Sequence, residues 1–172
     1  KKQVELGIGD VAYAACCLYM YNEDKRKINI NWAKQQIEHG IGNVACAAYC
    51  LYLYNEDKQH KNKLTLDWVK QQIERGIGDV AWAACCLCLT NLNKNGITVD
   101  WVKQQIEHGI GNVAWAACYL CLTNQNKKGI TLDWAKQQIE LGIGEVKLAA
   151  NYLYTKGYVT KKWRDQQLAK LE

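Results

Sequence analysis

Hydrophobic and polar positions divide the chain into two kinds of helical segment that alternate. In the segment 65–75, apolar side chains recur at Leu66, Val69 and Ile73, while charged residues and glutamine occupy the opposite side. This spacing of three and four positions predicts an amphipathic helix with one face against a core. The segment 80–89 is apolar on almost every side. We therefore expect a second helix that neighbouring helices cover on more than one side.

Residues that start and stop helices mark the ends of both segments. Thr65 is a suitable N-cap for the first helix, because its hydroxyl can accept a backbone N–H of the first turn. Gly76 is expected to follow that helix in the left-handed conformation, and Asp79 is expected to cap the next one. Only two or three residues then separate the helices, which predicts an antiparallel hairpin.

The hairpin recurs along the chain. The tripeptide Gly-Ile-Gly begins at Gly7, Gly40, Gly76, Gly109 and Gly142, so successive copies are 33, 36, 33 and 33 residues apart. Such a period is typical of proteins in which each repeat packs only against its neighbours. The pattern predicts an all-α fold, a right-handed α-solenoid of about five antiparallel helical hairpins of about 33 residues each.

We expect the residues 1–172 to form one domain. Its units lie near 1–28, 29–64, 65–97, 98–130 and 131–158, and a capping helix follows at 159–172. Both ends of the sequence fall inside repeats. The last helix is more charged than the internal copies, as a cap that faces water should be.

Nine cysteines, an odd number, fall within apolar helical segments rather than in loops. This favours reduced thiols, and a cytoplasmic or other reducing compartment, over a disulfide framework. Cys85 and Cys88, and likewise Cys118 and Cys121, lie three positions apart on one helical face and offer paired thiolates to a soft metal ion. Packing as small buried residues is the favoured interpretation, because tyrosine stands at equivalent positions. We therefore predict no bound metal and no cofactor.

The sequence offers little for catalysis or for membrane insertion. It contains no serine, no pairing of a nucleophile with a base, and no glycine-rich phosphate loop after a strand. No apolar run reaches the roughly 20 residues that a membrane-spanning helix needs. We expect neither an enzyme nor a transmembrane protein.

One position of the second helix holds residues of very different size in different units, and four of these residues are candidates for partner binding. Equivalent positions hold Tyr13, Cys46, Trp82 and Trp115, whereas the paired alanines nearby do not change. A tight core resists such differences in size, but a binding groove tolerates them. We therefore predict that these positions contact a protein or peptide.

The first helices carry a tryptophan and, four positions later, a glutamine on a stripe between the core face and the solvent face. The candidate residues of this stripe are Trp68, Gln72, Trp101, Gln105, Trp134 and Gln138. Aromatic and amide side chains repeated at a fixed rise can grip an extended chain, but the tryptophans can also pack between adjacent hairpins. The constancy of tryptophan in every repeat favours packing, since specificity positions usually vary.

Basic residues gather in the loops that join one unit to the next, and the chain has a formal net charge of +5. The candidates are Lys25, Arg26, Lys27, Lys61, Lys63, Lys94, Lys127 and Lys128. A basic edge of this kind is suited to nucleic acid, although loop lysines are more often simply solvated. Nucleic-acid binding is therefore the alternative function.

The two-helix unit with its period of about 33 residues resembles tetratricopeptide and Sel-type repeats. The run Gly78-Asp79-Val80-Ala81, the Leu87 that follows it and the loop 96–100 resemble the Sel-type pattern of a small-residue helix, a glycine loop and an acidic start. This resemblance implies a scaffold for protein interaction. Thr98 at a repeat start and the glycine turn 109–111 resemble TAL-effector DNA-binding repeats, which implies nucleic-acid binding. Self-association through the ends of the array is a further interpretation.

Overall fold

The structure is a computed structural model, and it describes residues 1–7, 9–22, 28–57, 64–91, 97–123 and 129–171. In these ranges the chain forms helices and no strands, which confirms the predicted all-α class. The helices are α1 (Lys2–Glu5), α2 (Val11–Tyr21), α3 (Ile30–His39), α4 (Val44–Asp57), α5 (Leu66–Glu74), α6 (Val80–Asn91), α7 (Val99–His108), α8 (Val113–Thr123), α9 (Leu132–Glu140), α10 (Val146–Thr155) and α11 (Lys161–Ala169).

The predicted helix ends are confirmed. The Thr65 hydroxyl accepts the backbone N–H of Trp68 at 3.1 Å, and the Asp79 carboxylate accepts that of Trp82 at 3.1 Å. Gly76, which follows the C-cap of α5, has a positive φ of 73°. The same cap precedes each of the other long odd-numbered helices, at Asn29, Thr98, Thr131 and Thr160. Side-chain capping thus fixes where each of these helices begins.

The even-numbered helices form a continuous row, because each one from α2 to α8 packs against the next even-numbered helix. Alanine makes this packing close: Ala83 and Ala84 of α6, and Ala116 and Ala117 of α8, are fully buried. The helices α3, α5, α7 and α9 each have an even-numbered helix before and after them in the chain. Each packs more extensively on the preceding helix than on the following one, as α5 packs more on α4 than on α6. The two helices of each closely packed pair, such as α4 and α5, therefore belong to different predicted units.

The turns between α3 and α4, α5 and α6, and α7 and α8 touch the preceding turn. The backbone N–H of Asp79 donates to the side-chain oxygen of Asn43 at 2.9 Å, and that of Asn112 donates to the Asp79 carboxylate at 2.9 Å. Gly111 has a φ of 94°, and a Cβ there would overlap the Asp79 carboxylate. The second glycine of the tripeptide is thus needed for its conformation and for the close approach of this turn to the preceding one.

Candidate functional site

Four aromatic rings form a row across three consecutive even-numbered helices. The centroid of the Trp82 ring of α6 lies 5.7 Å from that of Tyr119, and the Trp115 centroid lies 6.0 Å from Tyr119 and 5.4 Å from Tyr152 of α10. These distances are typical of edge and tilted aromatic contacts. All four side chains are partly exposed. We name Trp82, Tyr119, Trp115 and Tyr152 the aromatic row.

The fully buried alanines hold this row in place. On α6 and α8 they lie next to the two tryptophans in the sequence, at Ala81, Ala83, Ala114 and Ala116. An aromatic side chain has only two rotatable χ angles, and here it extends from a helix that cannot shift without breaking close contacts. The row is therefore a preorganised apolar surface.

The two other residues of the second helices that were predicted to bind a partner lie on α2 and α4, at the positions equivalent to Trp82 and Trp115. Tyr13 of α2 is 46% exposed. Cys46 of α4 is partly buried, and its thiol donates to the Asp79 carbonyl at 3.7 Å. Sequence reasoning missed Tyr119 and Tyr152 as members of the surface. Tyr119 lies four positions after Trp115, so helical spacing could have found it.

The structure places the stripe of tryptophans between consecutive odd-numbered helices. Each indole N–H donates to a glutamate of the preceding odd-numbered helix, at 2.6–3.1 Å. The pairs are Trp32 with Glu5, Trp68 with Glu38, Trp101 with Glu74, Trp134 with Glu107, and Trp163 with Glu140. Four positions before each glutamate, a lysine ammonium lies 5.2–5.9 Å from the centroid of the same indole ring. We name each set the Trp-Glu-Lys clamp.

The tryptophans of the clamp are buried or partly buried. Trp68 is 7% exposed and Trp134 is 6% exposed, whereas Trp101 is partly exposed. The geometry supports the packing interpretation of the stripe, while its role in partner binding stays a prediction. The partners of the clamp were missed, although Lys and Glu recur at i and i+4 in every copy before the last helix.

The glutamines of the stripe differ in their surroundings. Gln72 and Gln138 are each 6% exposed, and Gln105 is partly exposed. Arg75 donates to the side-chain oxygen of Gln72 at 2.7 Å and to the carbonyl of Ile37 at 3.2 Å. In the described part of the chain, the side-chain oxygen of Gln138 has no hydrogen-bond partner.

Burial keeps several thiols protonated. It raises the pKa of Cys46, Cys86 and Cys118 to about 12, and the charge of Asp79 adds to the effect at Cys46. A protonated, buried thiol is a poor nucleophile. Within the described ranges, no group of three or more His, Cys, Asp or Glu residues is arranged to hold a metal ion.

Two histidines of the described residues lie at helix ends. His39 lies in the last turn of α3, and its Nδ1 donates to the Gln35 carbonyl at 2.9 Å, as expected of a polar group at the carbonyl end of a helix. His108 repeats this contact with Gln104 at 3.0 Å. The eight basic loop residues proposed for nucleic acid lie outside the described residues, so that function stays a prediction.

Comparisons with protein-family models, with curated proteins and with solved structures find no match. Among the helices of the described ranges, none is both long enough and apolar enough to cross a membrane.

Proposed function

We propose that the chain is a non-enzymatic scaffold that binds a protein or peptide along the aromatic row. In this proposal the helices form a right-handed α-solenoid of about five helical hairpins. The observation that carries it is the row itself, in which Trp82, Tyr119, Trp115 and Tyr152 contact one another across three helices and stay partly exposed.

Two properties suit the row to binding. Tryptophan and tyrosine are the residues that most often dominate interface energies, because they bury a large area and lose little conformational entropy. The rings are also presented by tightly packed helices, so that a ligand does not have to order the surface. A surface with both properties favours an extended or helical peptide that buries apolar side chains against the rings.

The experiment starts from a peptide selected against the wild-type protein from a displayed random library. Its dissociation constant is then measured for Trp82→Ala and Trp115→Ala. Each change is expected to weaken binding by about 2 kcal/mol or more, which is roughly thirtyfold. Tyr21→Ala is the matched control, since this tyrosine is 81% exposed on α2, away from the row. Circular dichroism establishes that each variant is folded.

The proposal is wrong if peptides selected in this way bind both tryptophan variants with wild-type affinity. It is also wrong if the library yields only peptides whose binding disappears with moderate salt, because that pattern indicates charge attraction rather than contact with the rings.

A further inference from the structure

Three of the odd-numbered helices contain a buried glutamine at the same position, four residues after the tryptophan. Gln72 of α5, Gln138 of α9 and Gln167 of α11 are 6%, 6% and 4% exposed. In two of them the side-chain oxygen accepts a hydrogen bond from a cation three residues later. Arg75 donates to Gln72 at 2.7 Å, and Lys170 donates to Gln167 at 2.9 Å.

Gln138 lacks this cation. The residue three positions later is Leu141, which is 60% exposed. No group of the described residues donates to the Gln138 side-chain oxygen, although that oxygen is shielded from solvent. A buried acceptor without a donor destabilises the protein, and a charged donor is the partner that it would bind most strongly.

We infer that Gln138 is part of a binding site for a guanidinium group supplied by a ligand. The Arg75 side chain indicates the geometry, because it joins Gln72 to the carbonyl of Ile37 in the preceding odd-numbered helix. Ile106 of α7 occupies the position of Ile37 in its repeat. A guanidinium at the equivalent place would join Gln138 to the end of α7.

A guanidinium fits this place better than an ammonium or a neutral donor. Its planar fork presents several N–H groups at fixed angles and can serve two acceptors at once, as Arg75 does. The carbonyl end of α7 carries the negative end of the helix dipole and favours a cation. Arg75 is itself an exposed residue, so the place its guanidinium occupies lies at the surface. We expect a ligand to reach the equivalent place by displacing the exposed Leu141 side chain, since the Gln138 oxygen itself is shielded from solvent.

The site is separate from the aromatic row, because it lies between odd-numbered helices. The inference of a guanidinium site therefore does not depend on the proposed function. Its ligand is either a small guanidinium compound or an arginine side chain of a protein, and both share the chemistry that Gln138 would recognise.

The experiment titrates the full chain with methylguanidinium and with the blocked peptide acetyl-Gly-Arg-Gly-amide, and follows the side-chain amide signal of Gln138 by NMR. The same peptide with citrulline in place of arginine is the control, since citrulline keeps the shape and lacks the charge. We expect both cationic probes to shift the Gln138 signal, and the citrulline peptide to bind at least about tenfold more weakly. Tighter binding of the peptide than of methylguanidinium identifies a protein arginine as the ligand, and equal binding identifies a small molecule.

Two reciprocal variants make the test specific. Leu141→Arg provides an internal cation and is expected to abolish binding of both probes. Arg75→Leu removes the internal cation of Gln72 and is expected to create a second site there. Absence of any Gln138 shift, or binding that persists unchanged in Leu141→Arg, overturns the inference. Binding in Trp115→Ala is expected to equal the wild type, so the outcome here is independent of the aromatic row.

Discussion

The side-chain amide of Asn112 donates to the Asp79 carboxylate of the preceding turn at 2.6 Å, and its backbone N–H donates to the other carboxylate oxygen at 2.9 Å. Asp79 in turn caps α6 and donates its own N–H to Asn43. The caps at these turns alternate between Asp and Asn from Asp10 to Asn112. Alternation separates the carboxylates and gives one of them an amide donor. The turns are thus joined by hydrogen bonds from the cap residue of one turn to the cap side chain of the turn before it.

Replacement of Asn112 by aspartate is expected to lower the free energy of unfolding by about 1–3 kcal/mol, because it removes a charge-assisted donor and places two carboxylates together. Urea denaturation at pH 7 measures the effect. The loss should shrink as the pH falls and the new pair takes up a proton. The double variant with Asp79→Asn should recover much of the stability, and no recovery in that variant would contradict the pairing.

Removal of a glutamate from the Trp-Glu-Lys clamp is expected to destabilise the protein according to the burial of its tryptophan. Glu107 accepts from the buried Trp134 at 2.6 Å, and Glu74 accepts from the more exposed Trp101 at 2.7 Å. Glu107→Ala leaves a buried indole N–H without its acceptor, for a loss of about 1–3 kcal/mol. Glu74→Ala is the matched control and should cost less, since water can replace its carboxylate. Equal losses in thermal denaturation would argue against the role of burial.

The buried thiols are expected to make stability fall at alkaline pH. Cys118 is fully buried, and its pKa rises from 9.0 to about 12, first because burial disfavours the thiolate and then because Cys121 lies nearby. The unfolded chain loses this proton from about pH 9, whereas the folded chain keeps it to about pH 12. The contribution of Cys118 is therefore intact below pH 9, and above it declines by at most about 1.4 kcal/mol per pH unit.

Cys118→Ala tests this dependence. The difference in unfolding free energy between wild type and variant should be constant below pH 9 and should shrink between pH 9 and pH 11. Comparison of the two proteins cancels the titration of the other groups. A difference that stays constant over the whole range would show that the thiol has an ordinary pKa when folded.

Local patterns in the sequence predicted the helices because capping and helical spacing act within a few residues. Thr65, Gly76 and Asp79 have the roles that their chemistry implies. The buried Val69 and Ile73 lie on the predicted core stripe. Each of these predictions needs only the geometry of a single helix.

Contacts between helices that are distant in the sequence could not be predicted in the same way. The link from Trp134 to Glu107 joins residues 27 positions apart, and its geometry depends on how two helices lie side by side. The closer packing of α5 on α4 than on α6 likewise arises from tertiary packing. Repetition shows that such contacts recur, but not which side chains meet. Sequence reasoning found only Trp82 and Trp115 of the aromatic row, because the residue at their position differs between equivalent segments. Tyr152 belongs to the row only through its contact with Trp115.

The two roles of glycine in the turns can be separated by one pair of substitutions. Gly111 and Gly142 both have positive φ values, 94° and 79°. A Cβ at Gly142 would meet open space, whereas at Gly111 it would overlap the Asp79 carboxylate. Gly142→Ala should therefore cost only the left-handed conformation, about 1–2 kcal/mol. Gly111→Ala should cost clearly more, because it also pushes apart the turns joined by Asn112 and Asp79. Urea denaturation of the two variants compares these costs directly, and similar midpoints would mean that the turns do not depend on close approach.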